Sequence, residues 1–578
     1  MATFEVWAPG AERVRLRALD ADHDLSPVAG GWWRLELPAA GPGTDYAYLL
    51  GDDDTALPDP RSRWQPLGVH GPSRLYHDGY EWGDAGWTGR QLAGSVIYEL
   101  HVGTFTAEGT FEAAVDRLDH LVDLGVDLVE VLPVNAFNGT HNWGYDGVCW
   151  YAVHEPYGGP DGFKRFVDAC HRRGLGVVLD VVYNHLGPSG AYLPRFGPYL
   201  KEGRNAWGQL VNLDGPGSAE VRRYIVDNAV MWLRDFHVDA LRLDAVHALV
   251  DHGATHLLEQ LSAEVDALSA HLRRPLSLVA ESDLNDPRLV TARDAGGYGL
   301  TAQWDDDVHH ALHAGLTGER HGYYADFGSL EALAKALTSA FVHEGGWSSF
   351  RGRSHGRPVD RSRIPGHRFV VFLQNHDQVG NRALGDRLST VVSPELLKVA
   401  ATLLLTGPYT PMLWMGEEWG ASTPWQFFTS HPEPELSARA GVGRLEEFAD
   451  HGWSTSDVPD PQDPETFMHS TLDWKEAERE EHAALLDWYR RVIAVRRERA
   501  ELTDPRLDRV AVAYDEAARW VVVSRGGLRV AVNLAAGRQP VPLDGTPKAV
   551  LLASAPGFVY RDGVIELDGE SAAVVELA

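Results

Sequence analysis

The sequence predicts an α/β protein built around a (β/α)8 TIM barrel, with a β-sandwich module before the barrel and an all-β domain after it. Between residues 91 and 500, eight apolar strand-like segments alternate with segments whose apolar residues recur at helical spacing. On both sides of this region, short alternating segments are separated by turn residues, which is typical of antiparallel sheets. A chain of 578 residues also exceeds what one hydrophobic core supports, so two or three domains are expected.

Residues 1–90 are predicted to form the β-sandwich. The segments FEVWA, VRLRAL, WWRLEL and DYAYLL read as strands, and APGAE, DADHD and AAGPG are predicted as the turns between them. A stretch rich in proline and glycine, LPDPRSRWQPLGVHGPS, then leads out of the module. We expect this module to pack on the barrel.

Residues 91–500 are predicted to form the barrel. Amphipathic segments such as GFKRFVDACHRRG and AEVRRYIVDNAVMWLRDF separate the strands, so each strand is expected to be followed by a helix. A doubly wound sheet is the alternative, but it would need fewer strands. The eight predicted strands are 95–102, 127–134, 176–185, 240–247, 276–283, 299–306, 368–377 and 408–418.

Two long insertions interrupt the barrel region. Residues 135–160 follow strand two, and residues 419–470, rich in Trp, Phe, Pro and acidic residues, follow strand eight. Loops at the carboxyl ends of barrel strands are where such folds keep their substrate sites. A helix near 475–499 is predicted to close the barrel, and residues 501–578 alternate again as the short strands of a C-terminal β domain.

The composition limits the classes of partner. A formal net charge of −30 argues against a nucleic acid or an anionic membrane, whereas a neutral sugar polymer is not repelled. The two cysteines, Cys149 and Cys170, form no disulfide framework or zinc-binding pattern and are expected to be buried apolar residues. Because the N-terminus lacks a signal-peptide pattern and no stretch is long enough to span a membrane, a cytoplasmic protein is expected.

Polar side chains end four of the predicted barrel strands, although such strands are expected to be apolar inside. Because the carboxyl ends of the strands meet at one face of a barrel, the carboxylates ending strands four, five and seven are expected to converge. Several buried charges without a task would be costly, so a purely structural role does not account for the set. The residues are Asp180, Asn184 and His185 on strand three, Arg242, Asp244 and His247 on strand four, Glu281 and Asp283 on strand five, and Asn375, His376 and Asp377 on strand seven.

Three of these carboxylates, Asp244, Glu281 and Asp377, predict retaining glycoside hydrolysis. Such enzymes use one carboxylate as nucleophile and a second carboxyl as acid and then base, about 5–5.5 Å apart. Asp244, short and fixed on a strand beside Arg242, suits the nucleophile. Glu281 has the longer reach, and partial burial would give it the raised pKa of an acid. Asp377 would hold sugar hydroxyls and stabilise the positive charge of the transition state.

Four of the histidines in these segments and in the insertion after strand two are considered for a role in the site. His185 and His376 are expected to donate hydrogen bonds to sugar hydroxyls. For His247 and His154, a ring buried in the core and bonded to the backbone is a reasonable alternative.

At these residues the chain resembles the α-amylase family of glycoside hydrolases. DVVYNH (180–185), LRLDAVH (241–247), VAES (279–282) and QNHD (374–377) match its four signature regions, in order and on the expected strands. The resemblance covers the whole barrel and implies Asp244 as nucleophile, Glu281 as acid and base, and Asp377 as transition-state stabiliser. GYDG (144–147) resembles the family's segment in which a tyrosine stacks on the sugar. The implied substrate-binding residues are Tyr145, Asp146, His185, Arg242, His247 and His376.

Within the family, the loops are most similar to those of the maltooligosyltrehalose trehalohydrolases. AESDLNDPRLV, QWDDDVHHALH, FLQNHDQVGNR and WQFFTSHPEPEL carry this likeness, and the N-terminal sandwich resembles the carbohydrate-binding-like module of branching and debranching enzymes. The resemblance implies hydrolysis of the α-1,4 bond next to the terminal trehalose of maltooligosyltrehalose, which releases trehalose and a malto-oligosaccharide. A branching or debranching enzyme is the alternative. A barrel that only binds glucan is a third possibility, which the three intact acids argue against.

The chain departs from the family at one point. Many α-amylases bind calcium through the Asn of the first region and a His four residues after the nucleophile. Here Asn184 is present, but Ala248 stands at the second position and offers no side-chain ligand. No metal or other cofactor is therefore expected.

Seating a trehalose unit beyond the cleaved bond would require aromatic faces in the loops after strands six and eight. Packing within the loop cores is the alternative for each of these side chains. The candidates are Trp304, Trp419, Trp425 and Phe428.

Overall fold

The computed structural model describes residues 2–450 and 458–578 and contains the predicted parallel barrel, which closes where its eighth strand pairs with its first. Each predicted strand segment contains one barrel strand, so the prediction of the barrel is confirmed. Residues 451–457 of the predicted second insertion lie outside the described residues. The eight strands are Ile97–Leu100, Leu128–Val131, Gly176–Val181, Ala240–Leu243, Ser277–Ala280, Ala302–Trp304, Phe369–Phe372 and Thr410–Trp414.

Helices surround the barrel, and their apolar faces pack on the outside of the strands. A separate apolar cluster, which includes Ile97, Val178, Val279 and Met412, fills the inside of the barrel. The longer helices are Leu118–Leu124, Gly159–Arg172, Ser218–Asp235, Leu257–Leu272, Asp306–Thr317, Leu330–Ser339, Pro394–Thr406, Pro434–Asp450, Pro464–His469 and Glu480–Glu498. Helices of four or five residues are Val102–Phe105, Phe111–Val115, Leu193–Phe196, His376–Gly380, Leu388–Val391 and Ala500–Thr503.

The expectation that every barrel strand is followed by a helix is wrong for strand five. Residues 281–301 contain only two short 3-10 turns, Pro287–Leu289 and Arg293–Ala295, before strand six begins. Pro287 lacks the backbone N–H that a helix interior needs, and Gly296 and Gly299 adopt left-handed backbone conformations that end regular structure.

The N-terminal residues form two antiparallel sheets, and one predicted turn is wrong. DADHD was expected to connect two strands, but Ala21–Asp24 is itself an edge strand paired with Val14–Ala18. The turn is Leu19–Asp20, where both residues have positive φ as a two-residue hairpin requires. The strands are Ala2–Trp7, Ser26–Val28 and Trp32–Leu37 in one sheet, and Val14–Ala18, Ala21–Asp24, Asp45–Leu50 and Ser73–Arg74 in the other.

The N-terminal sheets pack on the outside of the barrel, as expected. Trp7 lies edge-on to Tyr199 with ring centroids 5.3 Å apart. Trp64, in the segment that leads out of the sheets, donates from its ring N–H to Glu155 at 2.9 Å. Both cysteines are buried and free.

The C-terminal residues form a five-stranded and a three-stranded antiparallel sheet, as the alternation predicts. The domain limits at residues 90 and 500 remain a prediction. No helix among the described residues is long and apolar enough to cross a membrane. The strands are Val510–Asp515, Trp520–Arg525, Leu528–Asn533, Pro547–Ala553 and Ser571–Leu577 in one sheet, and Gln539–Pro542, Val559–Arg561 and Val564–Leu567 in the other.

Candidate active site

The three acids predicted from the strand ends line one cavity of about 970 Å³ at the carboxyl face of the barrel. Asp244 and Glu281 directly follow strands four and five, and their backbone N–H groups donate to neighbouring barrel strands at 3.1 and 2.9 Å. Asp377 lies in the first turn of the short helix His376–Gly380, which Asn375 caps through its side-chain oxygen. The backbone of the barrel strands and of this short helix therefore fixes the Cα positions of all three acids.

Arg242 is the buried cation between these acids. Its Nη1 donates to Asp244 Oδ1 at 2.7 Å and to Asp180 Oδ2 at 2.9 Å, and its Nη2 lies 3.7 Å from Glu281 Oε2. The other oxygen of Asp244 accepts a hydrogen bond from Asn184 Nδ2 at 2.6 Å. Both oxygens of Asp244 are therefore held in place, as an oriented nucleophile requires.

Glu281 has a different environment from Asp244. Its Oε2 accepts the backbone N–H of Ala245 at 2.6 Å. Ala245 has φ +41°, a left-handed conformation that is strained for alanine. Burial raises the pKa of Glu281, and the charge of Asp244 adds to this effect while Arg242 opposes it. A carboxyl with a raised pKa can carry the proton that a general acid delivers.

His376 is held between acids. Its Nδ1 lies 2.5 Å from Glu99 Oε1, and its Nε2 lies 2.7 Å from the Tyr145 hydroxyl and 3.3 Å from Asp377 Oδ2. Because the Tyr145 hydroxyl donates to Asp180 at 2.6 Å, the Nε2–H of His376 donates to that hydroxyl. Burial lowers the pKa of His376, but the charges of Asp377 and Glu99 outweigh it and raise the pKa well above its usual value.

Asp377 is the most open of the three acids, with 41% of its side chain exposed, against 13% for Asp244 and 18% for Glu281. Burial of part of the group acts to raise its pKa, but the charge and hydrogen bond of His376, with Arg242, hold the pKa at about 2. This carboxylate is therefore ionised throughout the neutral range and faces the open part of the cavity.

Of the predicted substrate-binding residues, Tyr145, Asp146, His185 and His247 line this cavity, whereas Arg242 and His376 are buried and do not line it. Both ring nitrogens of His185 have protein partners, Asn184 Oδ1 at 2.6 Å and the Tyr145 carbonyl at 2.9 Å. Both nitrogens of His376 have protein partners as well, and the donation of hydrogen bonds by these two rings to sugar hydroxyls stays a prediction. His247 is exposed in the cavity, so the alternative of a core position is wrong for it, whereas His154 is buried.

The two residues predicted from GYDG lie side by side in the cavity wall. Tyr145 lies nearly parallel to the ring of His376, with centroids 5.2 Å apart. Asp146 accepts a hydrogen bond from Asn142 Nδ2 at 2.6 Å, and His431 Nε2 lies 3.6 Å from the same carboxylate oxygen. The GYDG segment is therefore fixed to the catalytic face by its own side chains.

The predicted aromatic platform is wrong for three of its four members. Trp419, Trp425 and Phe428 are completely buried and do not reach the cavity, so their faces cannot stack on a sugar. Trp304 lines the cavity but is only 3% exposed, because the guanidinium of Arg242 lies 4.3 Å from the centre of its ring. The open aromatic faces belong to other residues of the wall, above all Trp207 and Phe350, which are 49% and 47% exposed.

Comparison with known proteins assigns this site to a family. A family model described as the alpha amylase catalytic domain matches residues 75–202, and a domain family of unknown function (DUF3459) matches residues 505–574. A malto-oligosyltrehalose trehalohydrolase from Arthrobacter ramosus is 59% identical, over 99% of this chain and 99% of its own length. One from Rhizobium sp. strain M-11 is 57% identical, over 99% and 97%. The chain belongs to the malto-oligosyltrehalose trehalohydrolase family.

A solved structure supports the same placement. A crystal structure of a protein from Salmonella typhimurium that carries an alpha-amylase name is 39% identical. It superposes with a TM-score of 0.91 and covers 99% of this chain and 97% of its own. The chain is therefore an α-amylase family glycoside hydrolase in fold and in enzyme class.

The residues at the calcium-binding position of other α-amylases do not suit calcium in this chain. Both polar atoms of the Asn184 side chain already have protein partners, since the amide nitrogen donates to Asp244 and the oxygen contacts His185. Ala248 is a buried alanine in the position of the second ligand. Within the described part of the chain, no group of three or more His, Cys, Asp or Glu side chains is arranged to hold a metal ion.

The sequence reasoning missed several residues of the site. Glu99 could have been found, because it is a carboxylate within the apolar strand one, a signal like the polar residues noted on strands three, four, five and seven. Asp306, the second residue after strand six, carries a similar signal. Trp207, Phe350 and Arg351 lie in loops, where the sequence gives no indication of which side chains face the cavity.

Proposed function

We propose that this protein hydrolyses the α-1,4-glucosidic bond next to the terminal trehalose of maltooligosyltrehalose, with retention of configuration. The observation that carries the proposal is the arrangement of Asp244, Glu281 and Asp377 around Arg242 in one cavity. Membership of the trehalohydrolase family supports the choice of substrate.

In the first step, Asp244 Oδ attacks the anomeric carbon of the glucosyl unit that precedes trehalose. The bond from that carbon to the trehalose oxygen breaks, and its electron pair stays on the oxygen. Glu281 delivers its proton to this oxygen, so trehalose leaves as a neutral alcohol and the glucan is bound to Asp244 as an ester.

In the second step, water replaces Asp244 on the anomeric carbon. The Glu281 carboxylate now takes a proton from the water, whose oxygen bonds to the anomeric carbon as the ester bond to Asp244 breaks. The malto-oligosaccharide leaves with its new reducing end in the α configuration, and Glu281 is again protonated. Two displacements at one carbon account for retention.

Asp377 and Arg242 have supporting roles in both steps. The ionised Asp377 carboxylate stabilises the positive charge that develops on the sugar ring. Arg242 orients Asp244 and stabilises its negative charge when the ester breaks. Tyr145, in the cavity wall beside His376, offers a ring face to the sugar.

Incubation with maltooligosyltrehalose, glycogen and soluble starch tests the proposal. We expect free trehalose from the first substrate, and NMR of the early products should show the α-anomer of the new reducing end. New α-1,6 branches without free trehalose would instead indicate the branching alternative, which the trehalohydrolase relatives do not favour. A cytoplasmic location and action without nucleic acid or membrane remain predictions.

A further inference from the structure

Residues 342–357 form a hairpin that contributes one wall of the catalytic cavity. Phe350 and Arg351 at its tip line the cavity. Arg351 Nη2 donates to Asp283 Oδ2 at 3.1 Å, which joins the tip to the segment that follows Glu281. The position of this hairpin therefore determines where Phe350 and Arg351 can contact a substrate in the cavity that also contains Glu281.

The first end of the hairpin is held by the carboxylate of Asp307. Its Oδ2 accepts the backbone N–H groups of Val342 at 2.7 Å and His343 at 3.0 Å. The same oxygen accepts Asn285 Nδ2 at 2.8 Å. Asp307 is only 3% exposed, so these three donors replace the water that the buried carboxylate has lost.

The second end of the hairpin is held by Asn285. Its backbone carbonyl accepts the N–H of Arg357 at 3.0 Å. Asn285 has φ +52°, a left-handed conformation that asparagine tolerates better than most residues. A Cβ atom at Gly356 would lie 3.1 Å from Asn285 Cβ and 1.9 Å from the His343 carbonyl oxygen, so the two ends are closely packed.

Asp305, Asp306 and Asp307 are three consecutive acids whose side chains have different roles. Asp305 caps the helix Asp306–Thr317 by accepting the N–H of Asp307 at 3.1 Å. Asp306 faces the cavity, where Gln378 Nε2 donates to it at 3.2 Å. Asp307 does not line the cavity, so its effect on the substrate passes through the residues it bonds, which are Asn285 and the first residues of the hairpin.

We propose that Asp307 and Asn285 are positioning residues that clamp the hairpin, so that Phe350 and Arg351 are already in place when the glucan binds. This inference rests on the proposed function, because the substrate in question is the glucan of that reaction. A loosened hairpin would have to be ordered by the substrate, which weakens binding without altering the catalytic acids.

Two variants test the clamp, Asp307→Asn and Asn285→Gly. Glycine keeps the left-handed backbone and the carbonyl that accepts the N–H of Arg357, and it removes the amide that donates to Asp307, so this variant is the milder one. We expect KM for maltooligosyltrehalose to rise about tenfold in Asp307→Asn and about threefold in Asn285→Gly, while kcat changes less than about threefold in both, since ground-state and transition-state binding are lost together. Asp360→Asn is the matched control, because Asp360 is an exposed acid whose side chain bonds Ser362 and pairs with the exposed Arg363, away from the cavity wall.

A double-mutant cycle separates positioning from general stability. In an Arg351→Ala/Phe350→Ala background, Asp307→Asn should add little further loss of kcat/KM, because the side chains it positions are gone. If Asp307→Asn lowered kcat/KM by the same factor in this background as in wild type, the proposal would be overturned. Trypsin should also cut wild type slowly after Arg351 and Arg353 and cut both clamp variants faster.

Unchanged KM together with unchanged trypsin cleavage in both variants would also overturn the clamp. If Asp307→Asn does not fold, the decision rests on Asn285→Gly, measured in the same way. A wild-type protein that released no trehalose would contradict the proposed function instead. The trypsin measurement needs no substrate, so it would still decide whether Asp307 and Asn285 hold the hairpin.

Discussion

Two carboxylates of the same cavity differ in their immediate surroundings, and the difference assigns their roles. Asp244 has both oxygens engaged by donors of Arg242 and Asn184 at 2.7 and 2.6 Å. Glu281 receives one backbone N–H and lies 3.7 Å from the guanidinium, and burial raises its pKa. An oriented, charged carboxylate beside a protonatable one is the pairing that retaining hydrolysis needs.

Replacing Glu281 tests this assignment. Glu281→Gln keeps the shape of the side chain but removes the proton donor, so kcat should fall about 10²- to 10⁴-fold on maltooligosyltrehalose. In wild type, kcat/KM should fall as pH rises through the elevated pKa of Glu281, because the acid form is then lost. The pH profile of both proteins checks this, and near-normal turnover by Glu281→Gln would contradict its role as acid.

A second glutamate, Glu130, lies within the barrel without a task in the mechanism. It is 1% exposed, and neither of its carboxylate oxygens has a hydrogen-bond partner among the described residues. Burial, together with the charges of Glu99 and Asp180, raises the pKa of Glu130 well above its usual value. The folded state therefore holds this proton more tightly than the unfolded chain does.

From this it follows that Glu130 lowers the stability of the wild type as pH rises above the ordinary glutamate range. Glu130→Gln has no such titration, so its free energy of unfolding relative to wild type should increase between about pH 4 and pH 7. The increase is about 1.4 kcal/mol for each pKa unit of elevation within that interval. Urea unfolding at both pH values measures it, with the exposed Glu112→Gln as control. A constant difference would mean that Glu130 is ionised and paired.

Residues of the site could be predicted from sequence only where the barrel dictates their direction. Asp244, Glu281 and Asp377 end strands, and the carboxyl ends of all strands face one side, so their convergence was predictable. Trp425 was expected in the cavity and is instead buried against Trp143, with ring centroids 5.3 Å apart. The direction of a loop side chain depends on tertiary packing, which local sequence does not specify.

Among the secondary-structure elements, the helix Gly159–Arg172 is tied to strand four and to the linker from the N-terminal sheets by one histidine. His171 is buried and stacked on Trp87, and its Nδ1 and Nε2 lie 2.8 and 2.9 Å from Asp84 and Asp239. Burial lowers the pKa of His171, but these two carboxylates outweigh it and raise the pKa above its ordinary value. Both nitrogens can donate only when the ring is protonated.

The contribution of His171 to stability should therefore depend on pH. Because its folded pKa is raised, the contribution is fully present below the unfolded pKa and is lost as pH rises through the folded value. His171→Gln should lower the free energy of unfolding by about 3 kcal/mol near pH 6, since it leaves buried carboxylates with one cation fewer. Denaturant unfolding should show the difference shrinking near pH 9, with the exposed His271→Gln as control. A difference independent of pH would contradict this.

Secondary-structure elements could be predicted where the hydrophobic periodicity and the length of a segment indicate the same element. They could not be predicted where the choice of turn residues determines where a strand begins or ends. All eight barrel strands were found because each is a short apolar run between helical segments. The prediction for DADHD is wrong because its acids resemble a turn, although Leu19 and Asp20 make the turn. Asp22 instead pairs with Arg15 and Arg17 across the hairpin, and Asp24 pairs with Arg13. Exposed edge strands tolerate such charges.

At the scale of the whole molecule, the excess of acidic residues constrains the substrate. A protein with a formal net charge of −30 attracts cations and repels anions over roughly a Debye length, about 10 Å at 0.1 M salt. A neutral glucan experiences neither force, so its approach depends on shape, hydrogen bonds and stacking. The cavity fits this, since it joins acids with the aromatic faces of Trp207 and Phe350.

Salt should therefore leave the reaction of the neutral substrate almost unchanged. Between about 20 mM and 500 mM NaCl, kcat/KM on maltooligosyltrehalose should vary less than about twofold, because there is no substrate charge to screen. A matched substrate oxidised to carboxylates at its distal C6 positions should be poor at low salt and improve as salt screens its repulsion from the protein. A steep loss with salt for the neutral substrate would show that charge, rather than stacking and hydrogen bonding, controls its binding.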